Sequence, residues 1–205
     1  MAIPARIIGA ALGAAMLSGL AAVGPARAQS EAPAGGEPGV WQEHQVDFPY
    51  LGFTSHYSCD GLQDKLELLL RQLGARGDAK VTTYGCDRGF GVPSRFPRAT
   101  LKFATLQPLD ASGAAPAGGI AATATVTAAT PVAGVWRAVQ LAPNHPFALQ
   151  DGDCELMEQF RDKLLPLFAT RAQQIQLTCV PYQDIGPFSV QLQVFGPPPS
   201  PAKPS

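Results

Sequence analysis

The chain is expected to fold as an α+β domain in which two β-α-β-β repeats form one mainly antiparallel sheet, with two helices on one face and one disulfide per repeat. Three observations predict this. A helix-like segment, a turn and a strand, bracketed by cysteines, occur in the same order from Cys59 to Cys86 and again from Cys154 to Cys179. Gly-Val-Trp precedes both copies, and 18 residues separate Trp41 from Cys59 and Trp136 from Cys154. Each unit alone is too small to bury a good core, so the two are expected to share one.

In chain order, residues 1–28 combine a positive front end at Arg6, an apolar Ala/Gly-rich run from Ile7 to Gly24, and small residues at Ala26 and Ala28. This predicts a secretory signal peptide cut after Ala28 rather than a retained membrane anchor. No cysteine lies near the cut, so a lipid anchor is not expected. Removing Arg6 and Arg27 from the 15 basic residues leaves 13 against 16 acidic ones. Without a basic excess to neutralise phosphates, nucleic acid and anionic membrane surfaces are not expected partners. Residues 29–38, mostly Ala, Gly, Pro and Glu, read as a flexible leader.

The first repeat unit covers residues 39–109. Gly39-Val-Trp41 opens an extended segment through Val46 and Phe48, closed by the turn Pro49-Tyr50-Leu51-Gly52. Leu62, Leu66, Leu69 and Leu73 recur at helical spacing, which predicts a helix from about Asp60 to Leu73, capped by Asp60 with Gln63 completing a capping box. Gly74 and Gly77 end it. A strand from Lys80 to Cys86 follows, then a Gly/Pro-rich loop, then a strand from Ala99 to Leu106 in which Leu101 and Phe103 alternate with Thr100 and Lys102. Residues 110–133, rich in Ala, Gly and Thr, read as a linker, with Ala121–Thr130 open to an extra strand instead.

The second unit covers residues 134–195. Met157, Leu164, Leu165 and Phe168 fall opposite Leu62, Leu69, Leu70 and Leu73, and Pro166 replaces Arg71, which should kink or shorten the second helix. Strands at Ile175–Cys179 and Ser189–Phe195 complete it, and residues 196–205 form a Pro-rich tail expected to be disordered.

Four cysteines in an exported chain predict two disulfides. A helix from Asp60 to Leu73 rises about 20 Å, and a strand of about six residues returns that length. Cys86 therefore comes back to Cys59, and by the same argument Cys179 to Cys154. Loops of this size contribute on the order of 3 kcal/mol each in the chain-entropy picture. In the last strand Val190, Leu192 and Val194 alternate with Ser189, Gln191 and Gln193, as expected when one face meets helices and the other meets water or a partner. Trp136 shares the open-face parity with Ala138 and Gln140, and by the repeat so does Trp41.

Gly52-Phe-Thr-Ser-His-Tyr-Ser-Cys-Asp-Gly-Leu62, with Val40-Trp41 upstream and Asp153-Cys-Glu-Leu156 later, resembles a group of small exported proteobacterial proteins over roughly Gly39 to Phe195. No activity is known for that group, so the resemblance implies export and architecture but no chemistry.

These patterns favour an exported, non-catalytic envelope protein, periplasmic or secreted, that binds or supports a protein or cell-wall component through its open sheet face. Trp41 and Trp136 are the binding candidates, with Lys102, Gln191 and Gln193 as polar companions; packing within their own units is the competing reading for both tryptophans. No catalytic residue, metal ligand or cofactor is assigned. There is no Gly-x-Ser-x-Gly elbow and no phosphate-binding glycine loop, and His44, His56 and His145 are scattered rather than spaced as ligands. Asp151-Gly-Asp153-Cys-Glu155 lacks the spacing of a calcium loop and suits a helix start capped by Asp153. The alternative is a small hydrolase or thiol enzyme centred on His56–Asp60, with Ser55, Ser58 or Cys59 as nucleophile and Asp60 orienting His56. The open face is equally suited to pairing two copies, so the oligomeric state stays open.

Overall fold

Strand alternation sets the orientation of the sheet. The computed structural model describes residues 36–86, 94, 96–109, 130–180, 182–183 and 186–199. The expected signal peptide, the leader through residue 35, most of the Gly/Pro-rich loop, residues 110–129 with nearly all of Ala121–Thr130, and tail residues 200–205 lie outside them.

β1 (Glu37–Pro49), α1 (Cys59–Gln72), β2 (Lys80–Tyr84) and β3 (Arg98–Pro108) make one β-α-β-β half, and β4 (Val132–Leu141), α2 (Cys154–Lys163), β5 (Thr170–Leu177) and β6 (Phe188–Gly196) the other. They form one six-stranded antiparallel sheet in the order β2-β3-β1-β4-β6-β5. Both expected disulfides are present, Cys59–Cys86 and Cys154–Cys179, with Cα separations of 5.3 and 5.5 Å. β1 takes in Glu37 and Pro38, read above as leader, and β4 takes in Val132 and Ala133, read as linker, because these residues pair with each other across the middle of the sheet. β6 likewise runs one residue past the expected unit, to Gly196, which pairs with Val135.

Both helices cover the same face. Leu62, Leu66, Leu69 and Leu70 of α1 and Leu156, Met157 and Phe160 of α2 pack onto Phe48, Leu101, Val139, Leu141, Val190 and Val194. Ser58, not Asp60, caps α1: Cys59 enters the helix as its first residue, so the Ser58 hydroxyl accepts the Gly61 N–H at 3.1 Å and Asp60 is left exposed. Gly74 ends α1 at φ +81°, and the N–H groups of Gly74 and Ala75 close onto the carbonyls of Arg71 and Leu70. In the second half Pro166 stops the α-helix at Lys163 and leaves a single 3-10 turn at Leu165–Leu167, so α2 is 10 residues long against 14 for α1.

The halves meet along a short seam. Glu37, Pro38 and Gly39 face Gly134, Ala133 and Val132. The same offset, 95 residues, relates Glu37 to Val132, Pro38 to Ala133 and Gly39 to Gly134, so an approximate twofold axis passes through the Pro38–Ala133 pair. Each half also ends the other's helix. Arg137 of β4 donates from Nη2 to the Gln72 carbonyl of α1 at 2.6 Å. Thr105 and Gln107 of β3 donate to the Leu167 carbonyl, the matching position, at 2.9 and 3.0 Å. Because the Thr105 hydroxyl donates to Leu167, His44 donates to it from Nε2 at 2.8 Å, and burial holds this imidazole below its ordinary pKa of 6.5.

Candidate functional site: the open face of the sheet

The face away from the helices is organised around a small apolar centre. Phe195 and Leu106 lie on it, yet each is only 1 % exposed. Their side chains converge over Gly39 and Gly134, where an added Cβ would come 2.7 Å from the Phe195 ring at Gly39 and collide outright at Gly134. This accounts for the glycines of the two Gly-Val-Trp motifs: a side chain there would displace Phe195. On a face expected to meet water or a partner, the β1–β4 junction thus carries its own minor core.

Trp41 and Trp136 flank that centre, half-buried and on the open face as their parity predicts. Trp41 faces Leu106 and Trp136 faces Phe195 across their strands, the two rings of the second pair lying 5.3 Å apart. An arginine covers each indole: Arg76 at 5.7 Å over Trp41, and Arg171 at 4.1 Å over Trp136. These arginines are also 95 residues apart, a correspondence between the halves that the strand patterns did not reveal. With Phe195 and Arg171 against it, the Trp136 ring is a support for its neighbours more than a free stacking surface.

Around this centre the two halves carry different polar grids. In the first half Lys80, Lys102 and Gln45 form one cross-strand row, bounded by Thr82, Thr100 and Asp47 on one side and by Ala104 and Glu43 on the other. Arg76 bridges Glu43 and Asp78 at 3.0 and 2.9 Å, and its hydrogen bonds lower the pKa of Asp78. A cleft of about 610 Å³ lies here, lined by Glu43, Gln45, Arg76, Asp78 and Lys102 with the 44 and 103 positions of the paired strands. In the second half the matching row is Gln174, Gln191 and Gln140; next to it stand Arg171, Gln193 and Ala138 on one side, Gln176 and Ser189 on the other. Of the proposed companions, Lys102 therefore belongs to the first grid, and Gln191 and Gln193 to the second. Arg171 donates from Nε to Gln193 Oε1 at 2.7 Å.

The His56–Asp60 stretch is used differently. The backbone N–H groups of Phe53 and Thr54 donate to the carboxylate of Glu155 at 3.0–3.1 Å, and Ser55 N approaches it at 3.4 Å. Tyr57 donates to Asp153 Oδ1 at 2.5 Å, and Lys65 pairs with Oδ2 at 2.6 Å. The Ser55 hydroxyl donates to the Gly152 carbonyl. Asp153 and Glu155 are 3 % and 9 % exposed, so this is a buried ionic clamp between the halves. Asp153 also accepts the Gln150 N–H at 2.8 Å, which turns the expected helix cap onto the 3-10 turn Asp151–Asp153 ahead of α2. A polar cleft of about 710 Å³ opens beside the clamp, with His56, Asn144 and Asp151 on its walls. Cys59 is held in its disulfide and Ser58 caps α1. Among the described residues no group of three His, Cys, Asp or Glu side chains is placed to hold a metal ion, and no helix is long and apolar enough to cross a membrane.

No protein-family model, curated protein or solved structure matches the chain.

Proposed function

We propose that the chain is an exported, non-catalytic envelope protein, periplasmic or secreted, whose duplicated unit presents the open sheet face to a protein or cell-wall component. The observation that carries this reading is the pair of polar grids on that face: rows of exposed side chains, flanking a minor core built from both Gly-Val-Trp motifs. Two disulfides fit an oxidising compartment, which supports export. The Ser55 and Tyr57 hydroxyls bond across the halves, the Ser58 hydroxyl caps α1 and Cys59 is held in its disulfide, which supports setting the hydrolase or thiol-enzyme alternative second.

The test is retention of the mature protein on isolated envelope material, compared with a variant carrying alanine at Lys102, Gln191 and Gln193. These side chains lie on the surface, so the variant should keep the wild-type melting temperature. It is expected to lose retention. Retention at the wild-type level by the folded variant would remove the open face from consideration.

A further inference from the structure

The second half's grid has a composition that solvation alone does not require. Five glutamines, Gln140, Gln174, Gln176, Gln191 and Gln193, share one face of three adjacent strands, and Arg171 is the single ionisable residue in their rows. Gln140, Gln174, Gln176 and Gln191 are exposed, and none of their amides is hydrogen-bonded to another described residue, whereas Gln193 is fixed by Arg171. Ala138, exposed and between Trp136 and Gln140 on β4, leaves the floor low beside Gln193. The matching positions in the first half hold Lys80, Lys102 and Gln45, the usual mixed surface of an edge hairpin.

Each free amide offers two donors and an acceptor without charge. Such an array matches a ligand dense in hydroxyl or acetamido groups and gives no electrostatic gain with a charged one. At strand and residue spacings of about 4.8 and 3.4 Å, the three rows cover roughly 10 by 14 Å, room for a few sugar rings. Arg171, held between Trp136 and Gln193, adds fixed N–H donors at one end of the rows. Resting on the open-face reading above, we propose that this glutamine grid binds a neutral polysaccharide, through amide and guanidinium hydrogen bonds to its hydroxyl or acetamido groups.

The experiment is co-sedimentation of the full mature protein with insoluble chitin and with cellulose, which separates acetamido-bearing from hydroxyl-only glycans, alongside soluble polygalacturonate and polyglutamate as charged polymers. Binding to at least one neutral glycan is expected, unchanged between low and high salt because no ion pair forms. Gln140→Ala/Gln191→Ala should weaken it at least tenfold with the melting temperature preserved, and Gln140→Glu/Gln191→Glu should do the same if the alanine pair proves unstable. Retention of neither neutral glycan would overturn the proposal, as would preferential, salt-sensitive binding of a charged polymer. A dimer in sedimentation equilibrium that the glutamate variant dissociates would assign the grid to a second copy of the chain and overturn it equally. If the Lys102/Gln191/Gln193 variant loses envelope retention while chitin and cellulose stay unbound, only the glycan assignment falls; if that variant keeps retention, the open-face reading falls with it.

Discussion

Lys80 stands opposite Lys102 in the first half, and Gln174 stands opposite Gln191 at the matching place in the second. His44 beneath the first half of the sheet corresponds to Val139 beneath the second, Ser58 and Asp60 to the buried acids Asp153 and Glu155, and Gly74 to Ala169. One backbone plan thus supports a half with a long helix and a charged open-face row and a half with a short helix and an uncharged one. Both halves share the disulfide, the Gly-Val-Trp strand and the arginine over the indole. What differs lies where one half touches the other or faces outward.

The largest asymmetry should be at the clamp. Glu155→Ala leaves the N–H groups of the 53–55 loop without their carboxylate and is expected to cost about 3 kcal/mol, the penalty of stranded donors. Asp60→Ala, at the corresponding exposed position, should cost no more than about 0.3–1 kcal/mol, the loss of an acid from the first turn of α1. Urea titration of both variants checks this, and equal losses would break the contrast. Next comes the minor core: Phe195→Ala should cost about 3 kcal/mol, and Gly134→Ala about 1–3 kcal/mol by overpacking against that ring. A Gly134→Ala protein as stable as wild type would mean that Phe195 has somewhere else to go.

A smaller effect concerns His44. Its folded pKa lies below the unfolded value of 6.5, so the unfolded chain takes up the proton first. The stability tied to the neutral ring is present above that value and is lost as pH falls below it toward the folded pKa. Melting temperature should therefore decline from about pH 7 to about pH 5, and His44→Val, which copies Val139, should flatten the decline. The smallest effect belongs to the lysine row. Lys80→Gln/Lys102→Gln removes a like-charge pair set directly opposite and should raise stability by about 0.2–1 kcal/mol, an increase that added salt diminishes.

Much of the fold was legible from spacing. Cysteine separation against helix rise predicted both bridges, and period-two alternation put Trp41 and Trp136 on the open face. Local chemistry predicted the shortening at Pro166. The cap lies at Ser58 rather than at the expected Asp60, because the helix already begins at Cys59. The rest depended on contacts between distant segments. That Phe195 needs the space above Gly39 and Gly134, and that Glu155 is wrapped by the 53–55 backbone, follow from how the two halves dock, which no single stretch encodes. The glutamine grid was half visible: Gln191 and Gln193 stood out in one strand and Gln140 shared the open-face parity of another, but Gln174 and Gln176 joined them only through strand register, shifted by the irregularity between Arg171 and Gln174.

The seam has the geometry of a two-chain contact written into one polypeptide. Glu37 meets Gly134 while Val132 meets Gly39, and each half supplies the donors that finish its neighbour's helix. This is the reciprocity of an isologous interface. A half made alone would expose an unpaired strand start and an unfinished helix end, so residues 36–109 and 130–199 produced as separate chains are expected to co-purify. Connectivity through residues 110–129 would then govern how often the partners meet, while their fit resides in the surfaces themselves.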